Sequence, residues 1–372
     1  MNVLVWQWGR FGAGPRVALE LAEGFRTVPG GRVALSLARG AEILAGSHPP
    51  HCDLPVTTYA GAASYVARLL SAPLMLPLLT RAIRALAPDI AVCAMPGPLD
   101  LLMGAALRRA GVPYAVIIHD ADPHPGDGYP FQMALQRALA RRADALVALS
   151  GHVAGRLREQ GLADHKALLL ASLPPHVYGP RPSPPLAHGG KLRLLSFGRL
   201  LPYKGLDLLV ETLQLLGPRP DLEVRVVGSG PESAALAALR NLPGVTVENR
   251  WVPEEEVGPL LAWSDAVILS HREASQSGVA AAAAAAGRWV VATRVGGLEE
   301  QLRGQACAVL CEPEAESLAE GVRQLLRHPA APCIAEDPVG AWRRKASCLL
   351  AELGAVAAGW EGQGSALDPL GP

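Results

Sequence analysis

The stretch Gly198-Arg199-Leu200-Leu201-Pro202-Tyr203-Lys204-Gly205 connects an apolar run at 192–197 to a helical pattern at 206–215. An apolar run that leads through a short loop into residues with apolar positions three and four apart predicts one β-α unit of a parallel sheet. Gly198 allows the chain to turn sharply, and Arg199 and Lys204 add two cations near the positive end of the helix. Two cations five positions apart suit a diphosphate, and the alternative is a loop whose charges only face water.

The same β-α pattern recurs on both sides of this loop. The predicted strands are 2–8, 32–37, 89–94, 114–119 and 145–149 in the first half, and 192–197, 223–227, 246–248, 266–269 and 289–292 in the second. Residues 173–190 are rich in proline and lack periodicity, which is typical of an interdomain linker. We therefore predict an α/β protein with two doubly wound Rossmann-like domains that face a cleft, where the carboxyl ends of the strands would hold a ligand.

A chain of 372 residues has the length of two domains of ordinary size. The predicted boundaries are an N-terminal domain at 1–172, a linker at 173–190 and a C-terminal domain at 191–337. A helix at 338–357 is expected to return to the N-terminal domain. Residues 358–372, which are rich in glycine and proline, are expected to form a flexible tail.

Charge and composition exclude several classes of function. The 34 basic and 34 acidic residues cancel, and a pI near 7.2 gives no broad basic field that would recruit nucleic acid. Six scattered cysteines lack the spacing of zinc or redox motifs, so we expect buried or free thiols in a reducing compartment. We expect no signal segment at the start, because Trp6, Trp8 and Arg10 interrupt the first apolar run, and the best candidate for a membrane span, 69–79, is too short and contains Pro73 and Pro77. We therefore predict a cytoplasmic protein.

A second loop, Glu273-Ala274-Ser275-Gln276-Ser277-Gly278, follows the predicted strand 266–269. Ser275 or Ser277 can cap the helix that begins there, whose first backbone N–H groups would then face an anion. Gly278 permits close approach of the backbone. Glu273 could accept hydrogen bonds from sugar hydroxyls, and its alternative role is that of a carboxylate favoured by the helix dipole.

The order of these motifs resembles retaining GT-B glycosyltransferases of glycosyltransferase family 4. In that family the Gly-Arg…Lys-Gly loop binds the diphosphate of the donor, and two glutamates eight positions apart bind the donor sugar and the ribose. The resemblance covers most of the chain, including Gly228-Ser229-Gly230-Pro231 and Gly296-Gly297-Leu298-Glu299-Glu300. It implies that Arg199, Lys204 and Glu273 are catalytic and that the donor is bound by Gly198, Ser275, Gln276, Ser277, Gly278 and Glu300.

One position departs from the family pattern. Eight residues after Glu273 the chain has Ala281, which cannot hydrogen-bond a ribose through its side chain. Glu-Ala-Ser-Gln-Ser-Gly in place of the paired glutamates resembles a variant subgroup of the family. Because the second glutamate is absent, the alternative is a protein that binds a sugar nucleotide without turning it over.

The N-terminal domain carries two further candidates, and the resemblance places it on the acceptor side. Gly12 and Gly14 resemble the family's first loop, which lies near the donor phosphate and the acceptor, and an ordinary tight turn is the alternative. His119 resembles the family's donor-sugar contact. Asp120 and Asp122 match the acidic pair of unrelated metal-dependent transferases, but we interpret them as part of a rigid loop.

Three further features receive structural interpretations. His124 lacks neighbours with zinc-ligand spacing. Ser150 is expected to cap a helix at 153–160. The apolar segment 59–79 is expected to be an interior helix, although in family members this region shapes the acceptor side and can touch membranes.

The resemblance implies transfer of a sugar from a nucleotide-diphosphate sugar to an acceptor hydroxyl with retention, in polysaccharide, glycolipid or glycoconjugate biosynthesis. It implies no cofactor and no metal. The acceptor would be a carbohydrate, a lipid-linked molecule or a small molecule, with peripheral membrane contact as an option. The alternatives are a catalytically altered binder or partner subunit, and a GT-B enzyme of other chemistry such as a phosphorylase or epimerase.

Overall fold

Two parallel sheets organise the chain, in a computed structural model that describes residues 1–46, 49–128, 131–180, 182–327 and 337–364. Each sheet belongs to its own compact unit. The first unit comprises Met1–Asp122, Tyr129–Pro174 and Ala341–Pro372, and the second comprises Pro123–Gly128 and Pro175–Gly340. The predicted α/β class with two doubly wound domains is therefore confirmed.

The first unit has six parallel strands in the order β2-β1-β3-β4-β5-β6. They are β1 Val3–Gln7, β2 Val33–Leu37, β3 Ile90–Cys93, β4 Tyr114–Ile118, β5 Ala145–Ala148 and β6 Ala167–Leu170. The helices are α1 Ala13–Arg26, α2 Ala62–Leu86, α3 Asp100–Ala110, α4 Gln132–Arg142 and α5 Gly151–Glu159, with a short 3-10 turn at Glu42–Leu44. Every residue of β1, β3, β4 and β5 is buried, because helices cover both faces of a parallel sheet.

The second unit has six parallel strands in the order β12-β11-β10-β7-β8-β9. They are β7 Leu192–Phe197, β8 Leu222–Gly228, β9 Val245–Asn249, β10 Ala266–Leu269, β11 Trp289–Thr293 and β12 Ala308–Cys311. The helices are α6 Leu206–Leu216, α7 Ala234–Arg240, α8 Glu254–Trp263, α9 Gly278–Ala285, α10 Gly296–Leu302 and α11 Ala315–Arg327, with a 3-10 turn at Pro202–Lys204.

The strand order of the second unit decides where its loops meet. The chain moves from β7 outward to β8 and β9, then returns to β10 on the other side of β7, where Ala266 pairs with Leu194. The carboxyl ends of β7 and β10 thus mark a topological switch point, the usual ligand position in a doubly wound sheet. The two loops singled out in the sequence follow these two strands.

The last helix, α12, runs from Pro338 to Gly364. The indole N–H of Trp342 donates to the carbonyl of Glu20 at 3.0 Å, and the ring packs in the core of the first unit beside α1. The helix extends past the 338–357 expected from the sequence, and residues 358–364 of the predicted tail belong to it. The remainder of that tail, 365–372, lies outside the described residues.

The segment 59–79 is largely helix α2, but the expectation of an interior helix is wrong. Leu79, Thr80 and Ile83 are its buried residues, while large apolar side chains on the opposite side are exposed. Pro73 and Pro77 lie inside the helix and do not end it. The apolar helical segment is therefore longer than the stretch 69–79 considered above. By length and composition alone, this one helix among the described residues could cross a membrane.

The cysteines only partly match the expectation of free thiols. Cys52, Cys93, Cys311 and Cys348 are free, whereas Cys307 is disulfide-bonded.

Candidate active site

The loop 198–205 is tied to the start of the loop that follows β10. The Ser270 hydroxyl donates to the carbonyl of Lys204 at 3.0 Å, and the backbone N–H of Arg272 donates to the carbonyl of Tyr203 at 2.9 Å. Gly205 has φ +64°, and a Cβ there would lie 1.9 Å from the carbonyl oxygen of Ser270. Only glycine therefore allows the two loops to come this close.

Arg199 is fixed by an acidic partner that sequence reasoning missed. Its guanidinium forms an ion pair with the Asp127 carboxylate and donates to the Tyr203 hydroxyl at 3.2 Å. The same hydroxyl donates to Asp127 at 3.2 Å. About half of the Arg199 side chain stays exposed, so its planar fork remains available to an incoming anion.

Lys204 is held by a buried imidazole. Its Nζ lies 2.8 Å from Nε2 of His271 and 4.9 Å from the centre of the Tyr203 ring. An ammonium group only donates hydrogen bonds, so Nε2 of His271 is the acceptor and the ring proton sits on Nδ1. Burial, with Lys204 and His124 nearby, lowers the pKa of His271 well below its ordinary value of 6.5. His271 is therefore neutral near pH 7, and Lys204 carries the charge.

Glu273 joins the same cluster through His124. The His124 ring stacks on Tyr203 with 4.5 Å between ring centres, and its Nδ1 lies 3.5 Å from a carboxylate oxygen of Glu273. About half of the Glu273 side chain is exposed, which leaves it accessible to a sugar hydroxyl. His124, considered above only as a zinc ligand, instead connects the carboxylate to the aromatic centre of the site.

The start of α9 is built as predicted from its serines. Ser277 is the N-cap, and its hydroxyl accepts from the backbone N–H of Ala280 at 3.2 Å. The side chain of Gln301, which sequence reasoning missed, accepts from the N–H of Ser277 at 2.8 Å and donates to its carbonyl at 3.0 Å. A Cβ on Gly198 would lie 3.5 Å from Val279, so the loop 198–205 passes close to the N-terminus of α9.

The remaining donor-side candidates differ in exposure. Ser275 is buried, and Gln276 and Gly278 are partly exposed beside it. Ala281 is buried in α9. Glu300 lies on α10 and is exposed, while its neighbour Glu299 pairs with Arg294 and Arg303.

In the first unit, the loop that contains Gly12 and Gly14 packs on Gln7, a buried glutamine that was not predicted as a functional residue. Gln7 accepts from the backbone N–H of Gly9 at 2.9 Å, and a Cβ on Gly14 would lie 2.6 Å from its amide nitrogen. Gly12 has φ +80° and is exposed at the start of α1. His119 is buried at the end of β4, with Nε2 2.9 Å from the carbonyl of Ala94.

The acidic pair and Ser150 have structural partners. Asp122 forms an ion pair with Arg156 at 2.7 Å, whose hydrogen bond lowers the pKa of the carboxylate. The hydroxyl of Ser150 accepts from the N–H of Val153 at 3.2 Å, which confirms it as the cap of α5. Within the described ranges, no three His, Cys, Asp or Glu side chains gather where a metal ion could bind.

Replacing Gly205 with alanine is expected to destabilise the protein by about 2 kcal/mol or more, because the left-handed conformation alone costs roughly 1–2 kcal/mol outside glycine. The Cβ would also collide with the Ser270 carbonyl. Gly304→Ala is the matched control, since Gly304 has φ +78° but open space around it. Urea denaturation measures both variants. Equal losses of stability would show that the approach of the two loops does not require glycine.

Two family models match the chain. A glycosyl transferase 4-like domain matches residues 12–172, and a glycosyl transferases group 1 domain matches residues 191–328. The comparison with curated protein sequences finds no significant match.

Solved structures with this fold include enzymes of different chemistry. Anabaena Alr3699/HepE in complex with UDP and glucose is 16% identical with a TM-score of 0.67, over 95% of this chain and 99% of that one. Sucrose-phosphate synthase from Thermosynechococcus elongatus is 18% identical with a TM-score of 0.59, over 98% of both chains. UDP-GlcNAc 2-epimerase from Neisseria meningitidis is 12% identical with a TM-score of 0.58, over 95% of this chain and 99% of that one.

At these identities the solved structures show the fold alone, since a synthase and an epimerase share it. The class of protein is instead given by the two family models, which together leave out only the linker and the ends of the chain. The chain consists of a glycosyl transferase 4-like domain followed by a group 1 domain, and it belongs to the glycosyltransferases of GT-B fold.

Proposed function

We propose that this protein is a retaining glycosyltransferase of family 4 that moves a hexosyl group from a nucleotide-diphosphate sugar to an acceptor hydroxyl. The observation that carries the proposal is the pair of cations on one loop, Arg199 and Lys204. Each is fixed by a partner of the same unit, Asp127 or His271. The loop passes close to the N-terminus of α9, where backbone N–H groups favour an anion.

The chemistry follows from where charge grows. As the bond between the anomeric carbon and the diphosphate breaks, negative charge develops on the leaving oxygens. Arg199 can bind two of these oxygens with its fork, and Lys204 adds a point charge. Preorganised charges of this kind are usually the largest contribution to catalysis. The acceptor oxygen forms the new bond on the face that the diphosphate leaves, and its hydroxyl proton passes to the departing diphosphate oxygen, without a covalent enzyme intermediate.

Sugar recognition is assigned to Glu273 and His119. The exposed Glu273 carboxylate can accept hydrogen bonds from sugar hydroxyls, and its contact with His124 restricts its position. His119 keeps the donor-sugar role that the family resemblance implies. Gly12, Gly14, Gly198, Ser275, Gln276, Ser277, Gly278 and Glu300 are the proposed donor-binding positions. No metal or cofactor takes part in the proposed reaction.

Uridine diphosphate sugars are the first donors to test. Structures of HepE, which shares the fold, are described as complexes with UDP, UDP and glucose, or UDP-glucose. The acceptor would be a carbohydrate, a lipid-linked molecule or a small molecule, used in cytoplasmic steps of polysaccharide, glycolipid or glycoconjugate synthesis.

Thermal unfolding with uridine, guanosine, adenosine and thymidine diphosphate sugars tests the proposal. A donor present at 100 times its Kd should stabilise the protein by about 2.7 kcal/mol. The stabilising donor is then incubated with the protein and its release of nucleoside diphosphate is measured. Stabilisation without turnover, with or without acceptors, would favour the alternative of a catalytically altered binder or partner subunit. No stabilisation by any donor would contradict the proposal.

A further inference from the structure

Helix α2 presents a long apolar face to the outside of the first unit. It spans 25 residues, or about 37 Å. Every exposed position between Ala62 and Leu78 carries Ala, Val, Leu or Pro. Val66, Leu70, Leu74 and Leu78 recur every four residues on this face, and Leu70 and Leu74 are 78% and 75% exposed. Exposed apolar surface this continuous is uncommon on a soluble protein and marks an interaction site.

The opposite face of α2 belongs to the core of the unit. Leu79 and Ile83 are buried there, and Tyr65, Met75 and Leu76 pack partly against the same cluster. If α2 left this position to cross a membrane, that core would be uncovered. The helix must therefore interact with its partner while lying along the surface of the unit.

The charges on α2 favour an anionic partner. The helix contains no acidic residue, and the exposed Arg81 and Arg84 continue the apolar face through its last turns. Arg84 donates to the carbonyl of Arg109 at 2.7 Å, which brings it beside the exposed arginines at the end of α3. A second copy of α2 would offer these cations no carboxylate. In a lipid surface the phosphates lie directly beside the acyl layer. The phosphates would contact the arginines, and the acyl chains would contact the apolar part of the face.

We propose that the exposed face of α2 docks the protein on an anionic lipid surface, with the leucines entering the acyl boundary and the arginines contacting headgroup phosphates. The interaction requires no sugar nucleotide. It is therefore independent of the proposed transfer activity and can be measured separately. If both hold, a lipid-linked acceptor becomes the acceptor class to test first.

Flotation of the full chain with vesicles tests the proposal. Vesicles of phosphatidylcholine with phosphatidylglycerol should carry the protein, and those of phosphatidylcholine alone should carry it less. Leu74→Glu should lower the partition coefficient at least about 10-fold, because the free energy of burying one leucine exceeds that of a tenfold change. Leu170→Glu is the matched control in the same unit, since Leu170 is 61% exposed on β6, away from α2. It should leave binding unchanged.

Two further measurements complete the test. Arg81→Gln with Arg84→Gln should weaken binding to the anionic vesicles and reduce its dependence on salt. Sedimentation velocity without lipid reports whether α2 instead joins two copies. Absence of binding to either vesicle, equal loss in Leu74→Glu and Leu170→Glu, or a dimer that Leu74→Glu disrupts without any lipid binding would each overturn the proposal. Unchanged thermal unfolding of each variant confirms that the exposed substitutions leave the fold intact.

Discussion

Lys204→Ala and Arg199→Ala are each expected to lower the turnover of the donor by about 10²- to 10³-fold, the usual cost of removing one preorganised group that stabilises transition-state charge. Both cations lie on one loop and are held by different partners, so the two losses have separate structural causes. Release of nucleoside diphosphate from the stabilising donor measures turnover, and calorimetry with the nucleoside diphosphate measures binding.

Arg199→Lys separates geometry from charge. Lysine keeps a positive charge but loses the planar fork, so a bidentate contact with phosphate oxygens would be lost. We expect this variant to fall between the wild-type protein and Arg199→Ala. Equal activity of Arg199→Lys and the wild-type protein would show that Arg199 acts as a simple point charge.

Arg240→Ala and Lys191→Ala are the matched controls for these substitutions. Arg240 is an exposed cation in the same unit that pairs with Glu232 at 2.7 Å, and Lys191 is exposed ahead of β7. Exposed pairs contribute only about 0–1 kcal/mol, so neither variant should change turnover or unfolding much. Near-wild-type turnover in Lys204→Ala or Arg199→Ala would contradict the assignment of the diphosphate site.

The local parts of this site could be predicted from the sequence, because turns, caps and strand ends depend on neighbouring residues. The loop after β7 and the Ser277 cap of α9 are of this kind. The partners of the two cations could not be predicted from neighbouring residues. Asp127 lies 72 positions from Arg199, and His271 lies 67 positions from Lys204. Only the return of the chain to β10 beside β7 explains the second pair.

The two edge strands β6 and β12 and the exposed face of α2 were also not predicted from the sequence. Strands β6 and β12 have four residues each and lie at sheet edges, and no residue of β6 is buried. They therefore lack the continuous buried pattern that identified the central strands. Helix α2 was expected inside because its residues are apolar, but composition does not say which face the neighbouring elements cover.

His271→Leu is expected to lower turnover about 10- to 100-fold, although His271 is a positioning residue and need not touch the donor. Leucine removes the acceptor 2.8 Å from Nζ of Lys204, so the ammonium loses its fixed direction, and small misplacements of catalytic groups can cost about 10²-fold. His271→Gln keeps an oxygen that can accept from Lys204. We expect it to recover a large part of the activity, which a side chain with only a packing role would not explain.

The pH dependence of stability gives an independent measurement on His271, whose pKa is lowered first by burial and then by Lys204 and His124. The pKa of folded His271 lies well below 6.5, so the unfolded chain binds more protons than the folded protein once the pH falls below about 6.5. Stability from this residue is complete above that pH and falls below it, by up to about 1.4 kcal/mol per pH unit. Buried Asp100 changes stability in the opposite direction. Burial raises its pKa to about 7, so below that pH the folded protein keeps a proton on Asp100 that the unfolded chain releases.

Comparison with His271→Gln separates these two contributions. Asp100 is unchanged in the variant, so the difference between the two proteins reports on position 271 alone. Urea denaturation at pH 7.5 and pH 5.5 should show that the wild-type protein loses more stability, relative to His271→Gln, at the lower pH. A parallel pH dependence would mean that the folded protein and the unfolded chain protonate His271 over the same pH range, which would contradict a lowered pKa in the folded state. His271 would then not be held neutral beside Lys204, and the diphosphate site would need a different explanation for how its lysine is held.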